Sequence, residues 1–424
     1  MAAPKSRRYA AVAAVLALFI GAVSAYLFWP ERAPTPPELS KLDASAEKGR
    51  YLATLGNCKT CHTAPGGQPF AGGVRFQTPF GRLYSTNITA DEKTGIGSWS
   101  FEDFHHSMKR GVRPDGTHLY PAFPYTSFAK LTDADIASLY LYMKTIEPVA
   151  APARKNDLDF PYNLRFGLRA WNKLFHQPAT FADDPAQSTQ WNRGAYLVQG
   201  ITHCGACHTP RNFLGAEHTE RALSGGTFFD EVSPGKYRQW AAVNLTPAKT
   251  GLGAWTPEHV ASYLKEGECE HAIVHGPMTE VVLNSTRHME DADVHAIARY
   301  LKETPAVNEP AGRKASKEQL AAGEIAYTVH CGTCHLPTGL GDEVMGVTLA
   351  SNAIVQAADP ASLINVILYG PRLPPPPFVS ARTRMKPFGK RLSDEDIANL
   401  ATYVRANFGN QAGSVNPDQV NRQR

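Results

Sequence analysis

The sequence has little charge of either sign, and the two signs nearly cancel. Charged residues make up 19% of the 424 residues, and the formal net charge at pH 7 is +4. A strong basic excess, the usual footprint of a nucleic-acid-binding protein, is therefore missing, and nucleic acid is excluded as a partner. With 43% hydrophobic residues, the chain has a globular composition and a length that suits several domains.

Sequence patterns of familiar enzymes are missing as well. No glycine-rich dinucleotide loop follows a strand-like run, and no nucleophile elbow is present. Cysteine is scarce, with seven in the whole chain. We therefore expect no catalytic site on the chain alone.

Six of the seven cysteines fall in three copies of one pattern, Cys-x-x-Cys-His, which is the attachment signature of c-type haem. The two thiols bind the porphyrin covalently, and the adjacent histidine becomes the proximal iron ligand. Zinc bound by cysteine pairs is the alternative, but the copies lie far apart and each carries the histidine. The pattern predicts three covalently bound haem c groups, attached to Cys58, Cys61, Cys204, Cys207, Cys331 and Cys334, with His62, His208 and His335 as proximal ligands.

The N-terminus contains an uncharged run from Tyr9 to Trp29, preceded by three basic residues. The run is long enough to cross a bilayer as a helix, and the basic residues predict that its start stays in the cytoplasm. We expect a retained N-terminal anchor in the bacterial inner membrane, with the rest of the chain on the periplasmic side. A signal peptide cleaved near residues 23–25 is the alternative.

The rest of the chain is an internal repeat of three units. Each unit opens with a glycine-bearing helical pattern before its haem motif and closes with an apolar-periodic helix that carries a tyrosine. A glycine facing an aromatic residue suits two helices that cross closely, as in small c-type cytochrome domains. The glycines are Gly49, Gly194 and Gly323, and the tyrosines are Tyr142, Tyr300 and Tyr403.

The predicted fold class is all-α, with three tandem class I cytochrome c domains after an N-terminal membrane helix. Residues 1–40 would form the anchor or signal and a proline-rich spacer. The domains would span 41–150, 187–304 and 316–410, joined by a structured linker at 151–186 and a short linker at 305–315. Residues 411–424 would form a polar, mobile tail.

The distal iron ligand of each haem should come from a loop shortly before the closing helix, and methionine is the expected residue. Met278 in the second unit and Met385 in the third occupy such loops beside prolines. Methionine is also a common core residue, but position and context favour ligation here.

The first unit breaks this pattern, because Phe123 stands where methionine is expected and cannot bind iron. Met108 is one candidate ligand, although the other units have aliphatic residues at its position. A histidine is the second possibility, and a site without a strong sixth ligand is the third. The histidines in question are His105, His106 and His118.

Two further patterns accompany the haem motifs. A proline follows each haem histidine closely, and we expect a backbone carbonyl of this turn to accept the imidazole Nδ1–H. The first two units also share an Asn-x-Thr segment followed by tryptophan, which suits hydrogen bonding to haem propionates or an ordinary turn before a helix. These residues are Asn87, Thr89 and Trp99 in the first unit and Asn244, Thr246 and Trp255 in the second.

The chain resembles the triheme cytochrome c subunits of membrane-bound periplasmic dehydrogenases, which act on alcohol, gluconate, sorbitol, fructose, nicotinate or aldehydes. The stretches that carry the resemblance are Leu119–Tyr125, Asn156–Phe175, Trp191–Leu197 and His203–Asn212. The resemblance implies electron transfer from a catalytic subunit with a flavin, quinone or molybdenum cofactor to ubiquinone or an oxidase. Many family members have methionine where Phe123 stands.

Two other functions fit the same motifs. A haem enzyme of the peroxidase or thiosulfate-oxidising type could use the first haem as its active site. A free-standing, membrane-tethered electron carrier is the second alternative. Cys269, the odd cysteine, is interpreted as a lone thiol near the second haem loop.

Overall fold

The computed structural model describes residues 5–29, 33–233, 236–309, 312–342, 344–371, 373–374, 378 and 384–424. Its α-helices, in chain order, are α1 (Lys5–Phe28), α2 (Ala46–Leu55), α3 (Cys58–Cys61), α4 (Phe101–Arg110), α5 (Tyr125–Phe128), α6 (Asp133–Met143), α7 (Gly167–Phe175), α8 (Thr189–Gln199), α9 (Gly205–His208), α10 (Pro257–Glu266), α11 (Pro277–Asn284), α12 (Asp291–Glu303), α13 (Lys317–His330), α14 (Gly332–His335), α15 (Ala353–Gln356), α16 (Ala361–Tyr369), α17 (Asp394–Ala406) and α18 (Pro417–Asn421). Short 3-10 turns lie at Leu39–Lys41, Thr219–Arg221 and Thr286–His288.

Antiparallel strands add small hairpins to this helical framework, which the all-α prediction did not include. The longest hairpin pairs Gly226 with Ala242 at its base and is rich in the aromatic residues that favour strands. A three-stranded sheet and a two-residue hairpin complete the set. The strands are β1 (Arg75–Thr78), β2 (Gly81–Tyr84), β3 (Asp157–Leu158), β4 (Gly226–Ser233), β5 (Lys236–Ala242), β6 (Glu268–Cys269) and β7 (Ala272–Ile273), in the orders β1-β2-β3, β4-β5 and β6-β7.

Three helix pairs, α2 with α6, α8 with α12 and α13 with α17, form the framework of the repeat. The helices approach so closely that a Cβ on any of the three predicted glycines would overlap a backbone oxygen of the partner helix. In each pair, the added Cβ would also overlap the Cβ of the tyrosine on the closing helix. The predicted packing of glycine against an aromatic residue is therefore confirmed for all three pairs.

The first two helix pairs share one hydrophobic core. Leu52 and Ile136 of the first pair and Leu197 and Ile297 of the second belong to the same buried cluster. The third pair has a separate core around Ile364 and other residues. The molecule is thus a fused unit of two pairs and a third pair with its own core.

Reciprocal hydrogen bonds hold the fused unit together. The Tyr51 hydroxyl on α2 donates to the Asp293 carboxylate on α12 over 2.8 Å. In return, the Tyr196 hydroxyl on α8 donates to Asp135 on α6. Both carboxylates are buried, 4% exposed for Asp135 and 5% for Asp293, which requires such donors. Lys48 and Arg193, each from the aspartate's own pair, complete the charge balance.

The β4-β5 hairpin connects the fused unit to the third pair. The Ser362 hydroxyl on α16 bonds both the N–H and the carbonyl of Ala241, each over 2.9 Å. The Asn365 side chain donates to the Gln239 carbonyl over 2.7 Å. Arg238 lies over the Tyr369 ring at 3.8 Å. On its other side, the hairpin forms an ion pair between Glu231 and Arg75 of β1.

Helix α1 does not support the predicted membrane anchor. Among the residues described here, no helix combines the length and the apolar character needed to cross a membrane. The predicted localisation through an N-terminal inner-membrane anchor is therefore wrong.

The C-terminal residues are not the mobile tail that their polar composition predicts. Val415 and Val420 are fully buried in the core of the third pair. The buried Arg405 guanidinium donates to the Gly413 carbonyl over 2.7 Å, and Arg424 forms an ion pair with Asp394. The segment therefore belongs to the third unit.

The segment predicted as a structured linker, residues 151–186, contains β3 and α7. Its helix contacts both flanking units. The Tyr125 hydroxyl donates to Asn172 over 2.6 Å, and the Trp171 indole donates to the Leu214 carbonyl over 2.9 Å. Helix α1 ends against the same linker helix, with Arg169 donating to the Phe28 carbonyl.

Candidate haem sites

Each Cys-x-x-Cys-His motif lies on a short helical turn, α3, α9 or α14, directly after the opening helix of its pair. In each, Nδ1 of the histidine is bonded to a backbone carbonyl at 2.7 to 2.8 Å. With Nδ1 carrying the proton, Nε2 is left with a free lone pair, which is the form that binds iron. The carbonyls belong to Thr86, Val243 and Val347.

These carbonyls are not the ones that the prolines predict. The acceptor is 24 residues from His62, 35 from His208 and 12 from His335 in the chain. The predicted acceptor in the proline turn is therefore wrong. The chain returns to each histidine in an extended segment, and this return comes from tertiary packing.

A glycine allows each returning segment to approach its motif. A Cβ on Gly72 would collide with the backbone of Thr86, which holds His62. Likewise, Gly226 lies against the Cys207 carbonyl, and Gly346 lies against Cys334 and the His335 ring. In all three units, only a residue without a side chain fits beside the proximal histidine.

Burial raises the pKa of the thiol in five of the six motif cysteines, Cys58, Cys61, Cys204, Cys207 and Cys331. Burial raises the pKa of the Cys58 thiol to about 12 and the pKa of Cys331 to about 12. Burial also raises the pKa of Cys61 and Cys207, to about 11 each. Burial thus favours the protonated form of these thiols in the chain by itself.

The two predicted distal methionines lie in half-buried positions beside their cores. Met278 is the second residue of α11 and packs against the cluster of Ile273, Val274 and Val282. Met385 packs against the core of the third pair, and its carbonyl lies beside Gly370.

The first unit places Phe123 in the loop before α5. Its ring is half-buried and packs on Phe128, with 5.3 Å between the ring centroids. Met108 on α4 is a buried core residue, 6% exposed. The corresponding residues of the other units, Leu264 and Ile367, also pack into hydrophobic cores.

The three candidate histidines of the first unit have partners in the protein. Nε2 of His105 lies 2.9 Å from the Asp133 carboxylate, and Nε2 of His106 lies 3.3 Å from the Pro34 carbonyl. Nδ1 of His118 lies 3.0 Å from the Asn172 amide nitrogen. Burial lowers the pKa of His105 and of His118, so both imidazoles are favoured in the neutral form.

The shared Asn-x-Thr segments serve the protein chain itself. Both amide hydrogens of Asn87 are used, one on Thr94 and one on the Val149 carbonyl. Asn244 likewise donates to the Val307 carbonyl and accepts from Thr246. These bonds tie each segment to the chain after the closing helix. The Trp255 indole is different, since its buried N–H has no partner in the described part of the protein.

His203 is a residue that the sequence analysis quoted without assigning a role. The residue is half-buried, and Nε2 lies 3.2 Å from the carbonyl of Gly56, two residues before Cys58. The residue has a φ of 37°, an uncommon conformation for a side chain other than glycine. An edge contact with Phe128 fixes the ring from the other side. No local pattern predicts this contact, because it joins residues 147 positions apart.

The contact brings the first two motifs together. Burial is the main cause of the raised pKa of Cys207, and Cys61 of the first motif is close enough to raise this pKa as well. The Thr60 hydroxyl accepts a hydrogen bond from Asn284, over 3.0 Å, at the end of the helix that carries Met278. The first and second haem attachment sites are therefore neighbours across the fused unit.

A small apolar cluster joins the second unit to the segment that holds the third motif. Met278 and Val274 of the second unit pack with Val347, Leu373 and Phe378 of the third. Val347 is the residue whose carbonyl holds His335. The cluster thus joins the Met278 loop to the proximal side of the third motif.

The donor set fits haem c in the three motifs. Each supplies two cysteine thiols and a histidine with a free Nε2, with a glycine that allows the returning segment to approach. Bound haem would supply one-electron exchange at these positions. The protein's part is to hold the attachment points and orient the imidazoles.

Comparison with known proteins agrees with this reading. Residues 46–147 match the cytochrome c family, and residues 318–404 match the family of subunit III of the cbb3-type cytochrome c oxidase. Fold and site together define a c-type cytochrome.

Full-length relatives narrow the class. The chain is 38% identical to the cytochrome c subunit of the quinone alcohol dehydrogenase of Gluconacetobacter polyoxogenes, over 90% of this chain and 84% of that protein. It is 37% identical to the gluconate 2-dehydrogenase cytochrome c subunit of Pantoea cypripedii, over 87% of each protein. The chain belongs to the family of cytochrome c subunits of dehydrogenases, and its function is to pass electrons.

A shorter relative covers only part of the chain. The diheme c-type cytochrome of Cereibacter sphaeroides is 35% identical over 71% of this chain and 99% of its own length. The name of this shorter relative states two haems.

Proposed function

We propose that the chain carries three haem c groups and passes electrons from the catalytic subunit of a dehydrogenase to a quinone or another terminal acceptor. Each haem is attached through the cysteine pair and histidine of one motif, with Met278 and Met385 as distal ligands of the second and third. The chain has no substrate chemistry of its own. The three units are class I cytochrome c domains with the boundaries predicted above, except that residues 411–424 belong to the third.

The single observation that carries this proposal is the common arrangement of the three motifs. In every one, a distant backbone carbonyl takes the imidazole Nδ1–H at 2.7 to 2.8 Å and leaves Nε2 free. A motif that had lost its haem would be under no pressure to keep this long-range contact. The third motif keeps it as well as the first two, which supports three haems over two.

The order of the motifs in space supports a chain of haems. The His203–Gly56 hydrogen bond joins the residues just before the first two motifs, which supports neighbouring haems there. The packing of Met278 with Val347, whose carbonyl bonds His335, supports a third haem close to the distal side of the second. Since each haem would have a neighbour, an electron could cross the molecule in short steps.

The dehydrogenase partner is proposed from the relatives, which are subunits of alcohol and gluconate dehydrogenases. A flavin, a quinone cofactor or a molybdenum cofactor in that partner would serve equally as electron source. Ubiquinone or an oxidase is the proposed acceptor.

Mass spectrometry of protein matured in a host that attaches haem c tests the count. Three haem masses per chain are expected, and replacing both cysteines of one motif, for example Cys331→Ala with Cys334→Ala, should remove one of them. Cys269→Ala is the matched control, since this thiol lies outside the motifs and should leave the mass addition unchanged. Two haems in the unaltered protein would contradict the proposal.

A second measurement tests the direction of electron flow. The haems should become reduced when the purified protein is mixed with the catalytic part of an alcohol or gluconate dehydrogenase of the relatives' kind and that enzyme's substrate. The chain alone with the substrate should stay oxidised. Turnover of substrate by the isolated chain would contradict the proposed role.

A further inference from the structure

The first haem site differs from the other two on its distal side. In the second and third units the loop before the closing helix presents Met278 and Met385, whose thioethers can bind iron. In the first unit the same loop presents Phe123, whose ring cannot. The question is whether another side chain of the first unit takes the sixth position.

His118 is oriented away from such a role by its hydrogen bonds. The Asn172 amide group accepts from the Tyr125 hydroxyl over 2.6 Å and donates to the Arg110 carbonyl over 3.2 Å, which fixes the identity of its oxygen and nitrogen. Its second amide hydrogen points to Nδ1 of His118 at 3.0 Å. Nδ1 is therefore an acceptor, and the ring proton of neutral His118 is on Nε2. Neither nitrogen offers a free lone pair to iron.

His105 and His106 are engaged through Nε2, the nitrogen that usually binds haem iron. The Asp133 carboxylate holds Nε2 of His105 at 2.9 Å, beside the start of α6. His106 is turned toward the N-terminal segment, where the Pro34 carbonyl lies 3.3 Å from its Nε2.

Met108 is part of the packed core. It is 6% exposed and belongs to the same buried cluster as Phe104, one turn earlier on α4. The other two units place Leu264 and Ile367 three residues before the glycine that follows this helix, as Met108 is placed. A position that takes leucine or isoleucine elsewhere is a packing position, and moving Met108 out of it would leave a cavity.

Phe123 itself is held where it stands. Its backbone N–H bonds the Tyr120 carbonyl over 3.1 Å, and its carbonyl accepts from the Tyr125 N–H over 2.8 Å. The ring packs on Phe128, which in turn contacts His203. Nε2 of His203 is bonded to the Gly56 carbonyl. Phe123 therefore packs against the hydrophobic core of the fused unit, on Phe128.

We propose that the first haem has no protein ligand on the Phe123 side and that this position binds small neutral diatomic molecules, with carbon monoxide as the probe. The apolar surroundings disfavour charged ligands, because a buried charge without partners is costly. This inference rests on the proposed haem at the first motif. It adds to electron transfer a ligand-binding site that the relatives with methionine at this place would lack.

The test uses the full chain with its haems attached, and the haem count is measured first. If the first haem is missing, the proposed function fails; if all three are present, the ligand site is tested on its own. The ferric protein should show one high-spin haem by electron spin resonance. The reduced protein should take up one carbon monoxide per chain by optical titration.

Three variants decide the origin of the site. Phe123→Met should make the first haem low-spin and abolish carbon monoxide uptake. The control Phe128→Met, which makes the same exchange one ring away, should keep both signals. Met278→Phe should create a second open site and raise the uptake from one to two per chain, so the test stands even if Phe123→Met does not mature.

Three results would contradict an open ligand site at the first haem. Three low-spin haems and no carbon monoxide uptake in the unaltered protein overturn the proposal. Uptake that appears only after Met108→Leu would identify Met108 as the sixth ligand. Uptake that persists in Phe123→Met would place the open site at another haem.

Discussion

The fused unit of the first two helix pairs and the third pair use one aspartate position in different ways. In the fused unit, Asp135 and Asp293 are buried and accept a hydrogen bond from a tyrosine of the other pair. In the third pair, Asp396 is exposed and stays within its own helix end, where it forms a capping box with Ser393. One position thus serves either an interface or a helix cap.

The difference lies in one residue of the opening helix. It is the residue two positions after the glycine at the helix crossing, which is Gly49, Gly194 or Gly323. Tyr51 and Tyr196 occupy this place in the fused unit and supply the donors that a buried carboxylate needs. Ile325 occupies it in the third pair and is 68% exposed. Without a donor, burying Asp396 would be unfavourable, so the aspartate keeps its capping role. A single side-chain difference therefore separates a paired unit from an unpaired one.

The largest effect is expected from the crossing glycines. Gly49→Ala would force a Cβ into the Ser138 carbonyl and should destabilise the fused unit by about 3 kcal/mol. Gly323→Ala should cause a similar loss in the third pair only, because that pair has its own core. Urea unfolding followed separately for the two parts, by fragments protected from proteolysis, checks this.

Gly167→Ala is the matched control for the glycine variants. Gly167 begins the linker helix, and nothing lies within 4 Å of the place where its Cβ would stand. Alanine should therefore be neutral there or stabilise slightly. If Gly49→Ala were as stable as the control, the close crossing described here would be incorrect.

The next effect concerns the buried aspartates. Asp293→Asn removes the charge that receives two hydrogen bonds from Arg193, each 2.8 Å long, and one from Tyr51. Hydrogen bonds to charged groups contribute about 1.5–3 kcal/mol, so we expect a loss of about 2 kcal/mol in the fused unit. Equilibrium unfolding in urea measures it.

Asp396→Asn makes the same exchange in the third pair. This carboxylate is exposed and only caps a helix, so a loss of about 1 kcal/mol or less is expected, without effect on the fused unit. Equal losses for Asp293→Asn and Asp396→Asn would show that the two positions are not used differently.

Acid should weaken the fused unit through His176, which has no counterpart in the third pair. Burial lowers the pKa of His176. The hydrogen bond from the His176 ring to the Lys109 carbonyl raises this pKa, and the positive charge of the nearby Arg110 lowers it further, so the net shift is downward. Between the unfolded pKa near 6.5 and the lower folded pKa, the unfolded chain binds more protons. Stability is therefore lost as the pH falls through this window, by up to about 1.4 kcal/mol per pH unit.

His176→Gln isolates this contribution. Glutamine can still donate to the Lys109 carbonyl but does not titrate, so the dependence of unfolding free energy on pH should become flatter below pH about 6.5. Unfolding curves at a series of pH values provide the measurement. An unchanged slope would mean that His176 takes up its proton without leaving the fold.

The features that depend on residues close together in the chain could be predicted from the sequence. The haem motifs, the crossing glycines and the closing helices each depend on residues within a few turns of one another. The Ser393–Asp396 capping box is confirmed for the same reason. The equivalent pattern at Thr132 and Asp135 is only half formed, because the Asp135 carboxylate is taken by Tyr196 from another unit.

The features that could not be predicted depend on contacts between distant segments of the chain. The carbonyls that hold the haem histidines and the His203–Gly56 bond join residues that no local pattern relates. Composition was misleading at the C-terminus, where a polar segment is fixed by two buried valines and Arg424. The N-terminal anchor was predicted from the apolar run, whereas no helix among the described residues meets the requirements of a membrane span. The β4-β5 hairpin had a usable signal, since aromatic residues flank Pro234-Gly235 in the sequence.

The smallest effect tests how the linker helix joins the two pairs of the fused unit. Trp171→Phe keeps the ring that packs on Phe175 but loses the N–H that donates to the Leu214 carbonyl over 2.9 Å. The loss of this one neutral hydrogen bond should cost about 1 kcal/mol. Amide hydrogen exchange should become faster in residues 167–175, while the third pair stays protected. Phe175→Leu, at the exposed edge of the same helix, should change little. Faster exchange in both variants alike would mean that ring packing, and not the indole hydrogen bond, holds the linker helix against the second unit.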